Sequence, residues 1–158
     1  MKKLRIYVDT SVLGGCFDVE FAEWSNRLAD DFRCGRFVAL LSAVTAAEVE
    51  QAAPAVRQVH DELIGIGSEV VAVSQEAMEL LGSYESRGIL GPRFRNDMLH
   101  IAIATIAEAD VLVSRNFQHI VRLDKIRPFN SVNIELGYKQ LAIYSPREVA
   151  SNETDDRD

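Results

Sequence analysis

The sequence predicts an α/β protein, a mostly parallel sheet of about five strands covered by helices on both faces. Three observations predict it. The 158 residues are 47% hydrophobic and 26% charged, which suits one globular domain with a core of its own. The spacing of apolar residues switches repeatedly between the strand period and the helix period. The run at residues 37–41 is continuously apolar, as expected of a strand buried on both faces. Strands separated by helices are joined by crossovers and therefore lie parallel.

The elements follow in order. Residues 4–8 form a short β-rich run that ends in the turn-forming cluster Asp9-Thr10-Ser11. Residues 21–32 place Phe21, Trp24, Leu28 and Phe32 at helical spacing, and Gly35 stops that helix. The apolar run 37–41 is the second strand. A helix over 45–53 ends near Pro54, and another over 56–64 ends at a Gly-x-Gly stretch. A third strand is expected over 69–73. Ser74 then caps a helix that runs to about Ser86 and stops at Gly88. Residues 88–92 are a loop. Asn96 is positioned to cap an apolar helix over 97–107, followed by a strand over 111–113 and a fifth over 141–144. Residues 1–150 make the domain. Residues 151–158 carry four acids and one arginine and read as a disordered tail.

Charge and cysteine content narrow the function. Seventeen basic and twenty-four acidic residues give a net charge of -7, which argues against attachment to DNA or membrane by bulk positive charge. A local nucleic-acid site stays open, because net charge averages over faces. Two cysteines, Cys16 and Cys34, make no disulfide framework and read as free thiols of a cytoplasmic protein. The opening lacks the apolar run of a signal peptide. Residues 101–107, the most apolar stretch, are far short of the roughly 20 residues that span a bilayer.

Parallel α/β sheets bind ligands outside the carboxyl ends of their strands. Four polar residues should fall on that rim: Asp9 after the first strand, Glu48 in the helix after the second, Asp97 at the start of the helix before the fourth strand, and Asn116 after that strand. Two unit charges 4 Å apart repel by about 4 kcal/mol at an effective dielectric of 20. Converging carboxylates must therefore share a proton or hold a cation. Oxygen donors without a thiolate favour Mg²⁺ or Mn²⁺. Each residue also has a structural reading. Asp9 suits a turn or N-cap, Thr45-x-x-Glu48 matches a capping box, Asp97 suits the positive end of a helix, and Asn116 is an ordinary loop residue. Only their joint placement points to chemistry.

Several stretches, YVDTSVLGG (7–15), LSAVTAAEVEQA (41–52), FRNDMLHIAIATIAEADVLVSRNFQHIV (94–121) and SPREV (145–149), resemble the PIN domain of VapC-like toxin ribonucleases. The resemblance covers about residues 3–150. It implies a PIN-like three-layer α/β/α sandwich and an endoribonuclease that hydrolyses RNA phosphodiester bonds with a metal-activated water. It implies Asp9 and Asp97 as ligands of Mg²⁺ (or Mn²⁺), with Glu48 helping to hold the metal, or its waters, and the attacking water. Where the family often has Thr-x-Asp, this chain has Ser114-Arg115-Asn116. Asn116 can accept a hydrogen bond from metal-bound water but carries no charge. That departure bears on a second metal ion more than on the fold. The resemblance also implies a small antitoxin partner and a homodimer.

An acidic chain must still hold an anionic substrate. Residues 93–127 carry a local net charge of +2, and Arg93, Arg95 and Arg115 lie beside the proposed site in sequence, where they could guide phosphates or remain solvated. Ser11 could hydrogen-bond Asp9 or a metal-bound water. His100, in an apolar helix, reads as a hydrogen-bonded core histidine. His119 also reads as structural, since Mg²⁺ prefers oxygen. The stripe of Phe21, Trp24 and Phe32 reads as core or dimer contact. The alternative function is a catalytically weak PIN-like module that binds RNA or protein. A phosphatase or receiver domain is disfavoured, because Asp9-Thr10-Ser11 lacks the paired acids expected of either.

Overall fold

The computed structural model describes residues 2–116 and 120–150. The tail expected over 151–158, and His119, lie outside the described residues. In chain order the elements are β1 (Arg5–Val8), α1 (Thr10–Gly15), α2 (Ala22–Arg33), β2 (Val38–Ser42), α3 (Ala43–Glu50), α4 (Pro54–Gly65), β3 (Glu69–Val71), α5 (Gln75–Ser86), α6 (Arg95–Ile106), β4 (Val111–Val113), α7 (Leu123–Glu135), β5 (Ala142–Tyr144) and α8 (Pro146–Val149).

The five strands lie in the order β3-β2-β1-β4-β5, and every pairing is parallel. Alternation along the strands divides the core into two layers. Ile6 and Val8 of β1, Ala39 and Leu41 of β2 and Val113 of β4 face one layer, with buried residues of α1, α2, α3 and α4. Tyr7, Leu40 and Leu112 face the other, against α5, α6 and α7. Helix α6 is buried without interruption from Met98 to Thr105, the pattern of a helix packed on all sides. Strand order reverses at the β1–β4 boundary, where open α/β sheets form their binding crevices.

Differences from the sequence expectation have local causes. The cluster Asp9-Thr10-Ser11 is more than a turn: Thr10 and Ser11 begin α1, and Asp9 stands at its N-cap with extended backbone. Helix α3 begins at Ala43 because the Ser42 hydroxyl, at the N-cap, accepts the Thr45 N–H. Thr45 is thereby inside the helix, and the Thr45–Glu48 capping box does not form. Asn96 does not cap α6, which starts one residue earlier, directly after a 3-10 turn at Pro92–Phe94. No apolar period marks helix α7, because Pro128 lies inside it and two of its buried positions, Asn130 and Asn133, are asparagines. Asn130 clamps the start of β5: its Nδ2 donates to the Leu141 carbonyl (2.9 Å) and its Oδ1 accepts from the Leu141 N–H (2.7 Å). Of the aromatic stripe on α2, Phe32 is core, whereas Phe21 and Trp24 are half-buried. Cys16 and Cys34 are free thiols. No described helix is long and apolar enough to cross a membrane.

Candidate functional site

Val8 and Val113 are register partners in β1 and β4, so the next residues, Asp9 and Ser114, emerge side by side from adjacent strands. Ser114 Oγ and Ser11 Oγ both donate to Asp9 Oδ2 at 2.7 Å. Asp9 is 5% exposed, and a buried carboxylate needs such donors. Although Asp9 occupies the N-cap position of α1, its side chain makes no capping hydrogen bond. The geometry therefore sets aside the capping reading of this residue.

Asn116 joins this group to Asp97. Its backbone N–H donates to Ser114 Oγ (3.0 Å), and its Nδ2 donates to Oδ2 of Asp97 (3.3 Å) in the first turn of α6. A continuous chain of contacts, Asp9–Ser114–Asn116–Asp97, thus crosses the β1–β4 boundary. Glu48 reaches the same place from α3, where its Oε1 accepts from Thr10 Oγ1 (3.0 Å) and from His100 Nε2 (2.6 Å).

His100 is fully buried. It is a hydrogen-bonded core histidine, as its position in an apolar helix suggested, but its partners belong to the site. Nε2 lies 2.6 Å from Glu48 Oε1 and 3.5 Å from Asp9 Oδ1. Nδ1 is 2.7 Å from the Tyr7 hydroxyl, which is 2.8 Å from Ser42 Oγ. Burial works against the imidazolium, yet the hydrogen bond to Glu48 and the charges of Asp9, Glu48 and Asp97 outweigh it, and the net shift of its pKa is upward. Burial likewise raises the Glu48 pKa, but the His100 hydrogen bond and charge, with Thr10, bring it below its ordinary range. Burial pushes the Tyr7 phenol well above its usual value, so Tyr7 is a neutral hydroxyl link.

Thr10, Tyr7, Ser42 and Ser114 were not singled out in the sequence. Two signals point to part of this set. His100 lies three residues after Asp97, hence on the same helix face, and Ser114 follows β4 as Asp9 follows β1. The Tyr7–Ser42 link is a tertiary contact with no local signature.

The arginines have other engagements. Arg115 Nη1 donates to Asp18 Oδ2 (3.1 Å) and its guanidinium stacks over Phe21, while its backbone N–H donates to Ser11 Oγ (3.1 Å). Arg95 Nε lies 3.5 Å from Glu85 Oε2 with its side chain half exposed. Arg93 lies over the Phe94 ring.

Among the described residues no three side chains of His, Cys, Asp and Glu stand together closely enough to hold a metal ion by themselves. The carboxylates share one network without closing a cage, because His100 stands against both Asp9 and Glu48. The donor set nevertheless fits a hard divalent ion. It is carboxylate oxygen, and Mg²⁺ needs one or two carboxylates while keeping its waters. Asp9 and Asp97 could supply those two. Both His100 nitrogens are already in hydrogen bonds, so His100 is no ligand.

No protein-family model matches the chain, and no curated protein matches its sequence. Solved structures do. A chain of VapBC2 from Rickettsia felis, bound to a DNA fragment from its promoter, shares 17% identity at a TM-score of 0.54, covering 90% of this chain and 98% of that one. A chain of FitAcB from Neisseria gonorrhoeae shares 14% identity at 0.58, covering 91% and 99%. A chain of FitAB bound to an IR36 DNA fragment shares 14% at 0.57, covering 89% and 94%. At these identities the likeness speaks of architecture, and with the all-parallel five-stranded sheet and its two helical layers it gives this chain the PIN-like α/β/α fold.

Proposed function

We propose that the chain is a divalent-metal-dependent endoribonuclease, the toxin half of a toxin–antitoxin pair. The observation that carries this reading is the network of contacts that gathers Asp9, Asp97, Glu48 and Asn116 on the carboxyl rim of the sheet: hydrogen bonds join Asp9, Ser114, Asn116 and Asp97, and His100 stands between Glu48 (2.6 Å) and Asp9 (3.5 Å). Architectural likeness to chains of VapBC and FitAB complexes supports it, as do the sequence motifs around the same residues.

Asp9 and Asp97 would hold Mg²⁺ (or Mn²⁺), which when bound makes water a better nucleophile and offsets charge developing at the attacked phosphorus. Ser11 and Ser114 fix the Asp9 carboxylate, and Asn116 fixes that of Asp97. Glu48 stays ionised and accepts a hydrogen bond from the attacking water, with His100 and Thr10 setting its orientation. Arg95 and Arg115 steer the RNA backbone, Arg115 by exchanging Asp18 for a phosphate. A small antitoxin would block this rim, and the toxin would act in the cytoplasm as a homodimer.

The test is RNA cleavage by purified protein with and without Mg²⁺, beside Asp9→Asn. Cleavage that needs the metal and disappears in the variant is the expected result. RNA decay equal in both proteins would identify a contaminant and remove the enzymatic reading. One observation favours a second reading, a PIN-like module that binds RNA or protein without cutting. Asn116, uncharged, occupies an Asp97 oxygen with its amide. RNA binding without cleavage by the wild type would select that module.

A further inference from the structure

A groove of about 460 Å³ opens beside Glu48 on the same rim of the sheet. Its apolar lining is Ala43, Val44 and Ala47 of α3, with Val73 just beyond β3, and its polar lining is Glu48, Gln51 and Asn96. Ala43, Ala47 and Gln51 recur every four residues and so line one face of α3. Asn96 comes from the first turn of α6, beside Asp97. The groove thus continues directly from the carboxylate network.

We propose that this groove receives a single unstacked base of an RNA strand, next to the phosphate that sits at Asp9 and Asp97, and that Gln51 and Asn96 read the edge of that base. The inference rests on the ribonuclease reading for the placement of the phosphate. Three features select a base over another part of the strand. Among the described residues no lysine or arginine lines the groove and Glu48 borders it, so a phosphate would be repelled. The apolar lining is aliphatic and suits the flat face of a ring. Gln51 and Asn96 are neutral amides, each with donors and an acceptor, the chemistry that pairs with base edges. Recognition of RNA sequence works mainly on such splayed-out single-stranded bases.

The test is a titration of the ¹⁵N-labelled full chain, with Ca²⁺ in place of Mg²⁺ so that a hard cation can hold the phosphate while cleavage is suppressed, with the four octaribonucleotides of A, C, G and U. The side-chain amide signals of Gln51 and Asn96 should move with one or two of the four, and Gln51→Ala and Asn96→Ala should each weaken that preferred RNA by about tenfold. A double variant, Ala43→Leu with Ala47→Leu, should weaken all four by filling the groove. Equal affinity for the four RNAs, unchanged in the amide variants, would overturn the proposal. So would shifts confined to other residues, or a groove that answers to a protein partner while ignoring all four RNAs. The nuclease reading fails separately, on absence of Mg²⁺-dependent cleavage by the wild type, and base-selective shifts at Gln51 and Asn96 would survive that failure.

Discussion

At the scale of single residues, the most informative side chain is His100. It contacts two carboxylates through Nε2 and the Tyr7 hydroxyl through Nδ1, so it sets where Glu48 points without being placed to touch substrate. Supporting residues of this kind typically matter by about 10–100-fold. His100→Ala should therefore lower kcat for RNA cleavage by about that factor, with KM little changed. His100→Gln, which can restore a donor toward Glu48, should recover part of the loss. A purely structural role would instead lower thermal stability in both variants and leave the remaining folded enzyme fully active. The same logic applies to Ser114, whose hydroxyl joins Asp9 to the Asn116 backbone. Asp97 offers a readout independent of turnover. If it helps hold Mg²⁺, saturating metal should raise the Tm of the wild type, by about 2.7 kcal/mol of stability at one hundred times Kd, and Asp97→Asn should abolish most of that rise.

At the scale of elements, three helices are held by polar contacts that periodicity does not reveal. Asn130 on α7 satisfies both backbone groups of Leu141 at the entry to β5. Asn130→Ala would leave a buried donor and acceptor unpaired, so we expect a loss of about 2–4 kcal/mol in urea unfolding. Helices α2 and α4 are tied by Arg33, whose guanidinium meets Glu62 on α4 and Asp30 on its own helix. The Arg33 hydrogen bond lowers the Glu62 carboxyl below its ordinary value. A carboxyl whose folded pKa is depressed stabilises the fold above its unfolded pKa, and that contribution disappears as pH falls through the folded one. The pair is exposed, and the effect is small. The Tm gap between wild type and Glu62→Gln should accordingly be open at neutral pH and close as pH drops below about 4; a gap that widens in acid would refute the assignment.

At the scale of the whole molecule, the strand order β3-β2-β1-β4-β5 decides where chemistry is possible. The reversal at β1 and β4 leaves a crevice between helices on opposite faces, and residues from α1, α3, α6 and the segment after β4 all reach it. Glu48 and Asp97 come from different helices, α3 and α6, so both can reach the site only at the rim of the sheet. His100 lies in the buried run of α6 and Tyr7 in the central strand. The support of the site is therefore also part of the core, and loss of core packing around α6 should weaken activity before the protein unfolds. Met98→Ala tests this. It removes a fully buried side chain of α6, should cost about 2–5 kcal/mol, and should reduce cleavage at temperatures where circular dichroism still reports a folded chain.

The sequence by itself determined the alternation of strands and helices, the parallel sheet that follows from it, and the placement of Asp9, Glu48, Asp97 and Asn116 near one rim. These rest on local periods and on a general rule of α/β topology, both visible in one dimension. Helix α7 escaped because buried asparagines and Pro128 interrupt its apolar pattern, and the Thr45–Glu48 capping box was a false local signal because Ser42 starts the helix earlier. Only the tertiary structure decided that His100 serves the site, that Tyr7 and Ser42 stand behind it, and that Ser114 links Asp9 to Asn116. Those contacts join residues up to 105 positions apart. Their partners are chosen by register and by helix docking, which no local sequence pattern encodes.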